Sequence, residues 1–157
     1  MHDITVAFYK GEGLRRDRIV RWWTDSPYSH VELIMPNGDM AGIRPPDDPF
    51  VRKRACNTIE ETEWELVKLT VTEKQLKALR EFIEKTKGQG YDWIGMIISH
   101  LTPFRVKIPN KWYCSEWVAY ALSVANILKL KQLKLYNLSK MPPGKLYNIL
   151  RNTRIEP

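Results

Sequence analysis

The chain has 157 residues, 43% hydrophobic and 27% charged, with a net charge of +7. These are the proportions of one globular domain with a real core, and they exclude wholesale disorder. The longest apolar stretch, Trp93 to Leu101, is shorter than the roughly 18 to 20 residues of a membrane span, and Met1-His2-Asp3-Ile4 lacks a secretory layout, so the default location is cytoplasmic.

In chain order, Ile4 to Tyr9 is β-branched and aromatic and ends at Lys10-Gly11-Glu12-Gly13, which predicts a strand and a turn. Leu14 to Trp23 sets Leu14, Ile19, Val20 and Trp23 among arginines, the pattern of a short amphipathic helix. Tyr28 to Met35 then reads as a strand. Asn37-Gly38 predicts a hairpin turn, with the partner strand from about Met40 to Arg44. Alternation puts His30, Glu32 and Ile34 on one face and Val31, Leu33 and Met35 on the other. The second face is wholly apolar and belongs to the core, so His30 and Glu32 either line a cleft or face solvent.

Arg44 to Phe50, with three prolines, reads as a loop; Val51 to Thr62 is ambiguous, and Trp64 to Leu69 alternates as a strand. Thr72-Glu73-Lys74-Gln75 has a capping-box pattern, and Leu76, Leu79, Phe82 and Ile83 continue it as a helix that stops before Gly88. Asp92 is placed to cap a second helix, from Trp93 to about Leu101. Thr102 to Asn110 is a crossing loop or edge strand. A basic, leucine-spaced stretch, Lys129 to Leu138, precedes a last helix from Lys145 to Arg151. The expected fold class is α+β: a small, mainly antiparallel sheet packed against helices in a single domain, residues 1–157.

Chemistry gathers at Trp112-Tyr113-Cys114-Ser115-Glu116-Trp117-Val118. From Cys114, a helical stripe runs through Val118, Ala121, Ala125 and Leu128, which puts the cysteine at the head of a buried face and at a helix N-terminus. Unpaired N–H groups and the helix dipole at that end favour an anion, and the thiolate is the nucleophilic form of cysteine. The competing reading is a structural cysteine. Among the candidate bases, His2 is terminal and His100 ends an apolar helix, whereas His30 carries Glu32 two residues on, on its own face. A general base needs such a partner on its far nitrogen. Asp39 is another carboxylate near by on the paired strand. The Cys114 backbone N–H is the expected oxyanion donor, with Tyr28, Tyr113 or Tyr9 as an added phenol; the sequence does not choose among the three. Cys56 and Cys114 have no CxxC spacing, so neither a metal nor a cofactor is expected.

His30 within Tyr-Ser-His-Val-Glu, followed some eighty residues later by Trp-Tyr-Cys-Ser-Glu-Trp-Val, resembles the circularly permuted branch of the NlpC-type papain-like cysteine peptidases. That branch includes YiiX-like and lecithin–retinol-acyltransferase-like proteins, and in it the histidine precedes the cysteine. The resemblance implies a permuted papain-like fold, a Cys114 nucleophile, a His30 base and a polar third member, carried here onto Glu32. It implies hydrolysis by acyl transfer, with amide bonds of cell-wall peptides or lipid and other acyl esters as substrates. The second histidine of the acyltransferases is missing, which argues against their specific chemistry. Small stand-alone members of the superfamily include bacteriophage proteins acting in a host cell.

Basic clusters at Arg15, Arg16, Arg18 and Arg21, at Arg52-Lys53-Arg54, and from Lys129 to Lys145 suit an anionic wall or membrane surface, or solvent alone. They also support a different class of function: a basic binding module on a papain-like scaffold that contacts nucleic acid or an acidic partner without catalysis. No named nucleic-acid motif is present, which ranks that reading second. A thiol redox pair of Cys56 and Cys114 ranks third.

Overall fold

Seven strands form one sheet in the order β5-β1-β2-β3-β4-β6-β7 in the computed structural model, which describes residues 1–13, 15–45, 47–56, 59–92, 108–129 and 141–152. The strands are β1 (His2–Tyr9), β2 (His30–Ile34), β3 (Asp39–Arg44), β4 (Asp48–Ala55), β5 (Trp64–Val71), β6 (Gly90–Tyr91) and β7 (Lys111–Trp112). All neighbours pair antiparallel except β6 and β7. The described helices are α1 (Arg15–Thr24), α2 (Glu73–Thr86), α3 (Cys114–Val124) and α4 (Pro143–Asn152). The expected α+β architecture, mainly antiparallel, holds. Among the described residues no helix is long and apolar enough to cross a membrane. The expected helix from Trp93 to Leu101, with His100, and the stretch from Leu130 to Lys140 lie outside them.

Local chemistry sets the turns. Gly38 takes a φ of 83°, open to glycine at no steric cost, and Met35 and Asp39 close the β2–β3 hairpin through a 2.8 Å backbone bond. Thr72 and Gln75 complete a reciprocal capping box at the start of α2. Helix α3 ends earlier than its stripe suggested. Asn126 adopts a φ of 55°, and the Ile127 N–H reaches back to the Leu122 carbonyl, which stops the helix in a Schellman turn. The stripe is still buried throughout, because the turn folds Leu128 back onto the core.

The stretch from Arg44 to Phe50 is not all loop. Asp48 pairs with Arg44, so β4 begins within it at Asp48, beyond a register shift between Gly42 and Arg44. Pro49 is tolerated close to the strand's start, where a missing N–H removes little of the ladder. Of the ambiguous segment from Val51 to Thr62, Val51 to Ala55 complete β4.

The core lies between one sheet face and the helices. Ile4, Val6, Phe8, Val31, Leu33, Ala41 and Ile43 are all buried there against α3, with Leu76, Leu79 and Ile83 of α2 and Leu146 and Leu150 of α4. Eight residues of α3 are buried, so it is the central helix. Trp117 is wholly buried, and its indole N–H donates to the Thr86 hydroxyl at 2.9 Å, which ties α3 to the end of α2.

Candidate active site

Cys114 is the first residue of α3. Tyr113 before it is extended, with φ −105° and ψ 161°, and its side chain makes no capping bond, so nothing from the cap residue competes for the first-turn N–H groups. The two neighbours of Cys114 grip a second segment. Tyr113 Oη accepts the Met141 backbone N–H at 2.9 Å, and the Ser115 hydroxyl donates to the Met141 carbonyl. Pro142 and Pro143 are thereby held beside the cysteine. Together with Val20 and Thr24 of α1, Ser29, Tyr91 and Tyr113, they line a narrow cleft of about 40 Å³ that opens on Cys114. Space on that scale takes a few atoms of a substrate, not a whole ligand of ordinary size. Helix α1 is fixed to the entry of β2 by a 3.1 Å bond from the Ser29 hydroxyl to Asp17.

His30 opens β2 and is hydrogen-bonded to the Cys114 side chain. Its Nε2 lies 2.7 Å from Glu32 Oε1, which leaves Nδ1 as the ring nitrogen for the thiol. Cysteine, imidazole and carboxylate thus form one line. His30 and Glu32 occupy the face of β2 opposite the core residues Val31 and Leu33, as their spacing predicts. The solvent-facing alternative for them does not hold: His30 is 4% exposed and Glu32 not at all.

A buried carboxylate needs a counter-charge, and Arg52 supplies it. Its Nη1 and Nη2 donate to Glu32 Oε2 and Oε1, each at 2.9 Å, while Nε donates to Asp48 at 3.0 Å. Burial alone would push the Glu32 carboxyl up, yet the bonds to His30 and Arg52 hold it down at about 2. Burial likewise pulls the His30 imidazole down, but the hydrogen bonds to Cys114 and Glu32 outweigh it and leave the group above its ordinary value.

Arg52 stands on β4 and Glu32 on β2, with β3 between them. Gly42 of β3 is the residue paired with Arg52, and a Cβ there would lie 3.1 Å from Glu32 Cγ and 3.4 Å from Arg52 Nη1. The ion pair passes over the gap that this glycine leaves. Sequence reasoning placed Arg52 in a surface basic cluster and missed both residues. The cluster in fact divides: Lys53 meets Glu84 at 3.2 Å and Arg54 approaches Asp48 at 3.6 Å near the surface, while Arg52 turns inward. A glycine inside a predicted strand is a recognised sign of close approach, and it was the available clue.

The chain matches no protein-family model and no curated protein. The site therefore stands on its own chemistry.

The three candidate phenols separate. Tyr113 lines the cleft beside Cys114. Tyr28 is buried in an aromatic cluster, 5.4 Å from Phe8 and 4.8 Å from Tyr147 between ring centres, and is hydrogen-bonded to Tyr147. Tyr9 packs 5.1 Å from Trp64, with the Arg44 guanidinium 4.8 Å over its ring. Asp39 bonds to Asn37 at the hairpin tip, the opposite end of the β2–β3 pair from His30. Both cysteines are free thiols, and the described residues contain no cluster of metal-binding side chains. His2 bonds to Glu73 at 2.5 Å, away from this site.

Proposed function

We propose that the chain is a cysteine hydrolase of the permuted papain-like type, acting by acyl transfer on an amide or ester bond. One observation carries this reading: His30 is hydrogen-bonded at once to Cys114 and to a buried, ionised Glu32. A structural cysteine has no need of an oriented imidazole. Cys114 Sγ attacks the carbonyl carbon while His30 takes the thiol proton, giving a tetrahedral oxyanion beside the Cys114 N–H. Collapse of that intermediate breaks the bond to the leaving group, which receives the proton from His30. Water activated by His30 then cleaves the thioester. Glu32 keeps the ring in one tautomer and balances the imidazolium. The described lining of the cleft carries no charged side chain, which suits an uncharged acyl group at the reacting end. Cell-wall peptides and lipid or other acyl esters are the substrate classes in view, and a phage-encoded enzyme acting in a host cell fits the same reading.

Alkylation by iodoacetamide tests it. Cys114 in the wild type should label at neutral pH faster than a free thiol, Cys114→Ala should remove that fast phase, and His30→Ala should slow it. Labelling of Cys114 at the rate of a free thiol would overturn the reading.

A second reading, the basic binding module, draws support from α1. Arg15, Arg18, Ile19 and Trp22 form one i, i+3, i+4, i+7 stripe, and Trp22 is 84% and Ile19 57% exposed. That reading requires polyanion binding that weakens steeply with salt and is indifferent to His30→Ala.

A further inference from the structure

We propose that Arg52 is a positioning residue of the reaction, acting through Glu32 on His30, and that Gly42 is the gap that lets it act. The inference rests on the cysteine-hydrolase reading and extends it to two residues with no place in the line of cysteine, imidazole and carboxylate.

Charge counting gives the reason. The groups that meet around Glu32 are His30 on its own strand, Arg52 on β4 and, beyond the histidine, Cys114 on α3; Asp48 meets the guanidinium from the side. With Arg52 in place, the ionised Glu32 already has its counter-charge. His30 can then stay neutral beside a thiol, or become an imidazolium beside a thiolate, and the buried group is balanced either way. Without Arg52, the desolvated Glu32 carboxyl is driven toward its protonated form. A neutral Glu32 no longer stabilises the imidazolium that His30 becomes on taking the thiol proton, and the base is weakened.

The geometry adds a second contribution. Both Glu32 oxygens are held by the guanidinium fork, and Oε1 is shared with His30 Nε2. A forked grip fixes the carboxylate plane in a way that a single ammonium does not, and the plane fixes the ring. The grip reaches across β3 only because Gly42 lacks a side chain there.

The test is the pH profile of Cys114 alkylation by iodoacetamide, followed in Arg52→Gln, Arg52→Lys and Gly42→Ala. Circular dichroism and thermal melts confirm that each variant is folded at the assay temperature. In Arg52→Gln, labelling should fall about tenfold or more near pH ~6, where the thiolate depends on His30, and return toward wild type near pH ~9, where the thiol ionises unaided. Arg52→Lys should lie between, since it restores charge without the fork. Gly42→Ala should move the profile in the same direction with Arg52 still present. A purely structural Arg52 predicts lower melting temperatures with an unmoved profile in the folded protein, and that outcome overturns the inference. If Arg52→Gln does not fold, Gly42→Ala and Arg52→Lys decide the matter. If His30→Ala leaves wild-type labelling unchanged, the hydrolase reading itself fails. If His30→Ala abolishes fast labelling while the Arg52 and Gly42 variants match wild type, only this inference fails.

Discussion

At Glu32 one carboxylate serves both the stability of the fold and the orientation of the His30 ring, the proposed base. Its folded-state pKa of about 2 lies below the ordinary 4.5, so its contribution is fully present above pH ~4.5 and is lost as the pH falls toward 2. The gap corresponds to about 3 kcal/mol. His30 runs the other way. With its pKa raised in the folded state, the stability it contributes is complete below the ordinary 6.5 and disappears as the pH rises through the folded value. Glu32→Gln should flatten the acid limb of a melting-temperature profile. It should also cost more than a surface substitution, because the half-buried Arg52 loses its ionised partner at Glu32 and keeps only Asp48. A profile that keeps its acid slope in the variant would show that Glu32 is not the group responsible.

Among the elements, α3 has the hardest task, since it must place the proposed nucleophile while filling the centre of the core. Trp117 answers the second demand, and Trp117→Ala should destabilise by about 3 to 5 kcal/mol in denaturant titration. Thr86→Val removes the hydroxyl that accepts from the indole and donates to the Phe82 carbonyl, and should cost about 1 to 3 kcal/mol. The β2–β3 hairpin depends on backbone freedom instead. Gly38→Ala has open space around it but imposes the left-handed penalty, about 1 to 2 kcal/mol by the same measurement. Legibility in the sequence divides along similar lines. The Asn37-Gly38 turn, the Thr72 capping box and the His30–Glu32 face follow from contacts within a few residues, and all were readable. The Arg52 clamp joins β4 to β2 across β3, and a register shift after Gly42 decides which side chain meets which. No local pattern encodes that meeting, which is why Arg52 reads in the sequence as one member of a surface basic cluster. The end of α3 was misplaced for a related reason: Leu128 continues the helical stripe in sequence but reaches the core through a turn.

For the molecule as a whole, the site is a meeting of distant segments. His30 and Cys114 are some eighty residues apart, and the strand flanking β2 on its far side, β1, is itself paired with β5 from Trp64 onward. Such non-local pairing makes folding slow compared with helical bundles, because loop-closure entropy precedes any reward from contact. The two free thiols give this a direct readout. Cys56 is half-buried just after the end of β4, and Cys114 is buried at the head of the central helix. Each lies in a different environment in the native state, and neither is locked in a disulfide. During refolding from denaturant, short pulses of a thiol reagent should find Cys56 and Cys114 equally reactive at first. The fast, His30-dependent reactivity of Cys114 should emerge only when β2 and α3 dock. The sulfur that carries the proposed chemistry would then also serve as a clock, marking the moment at which the chain's two halves come together.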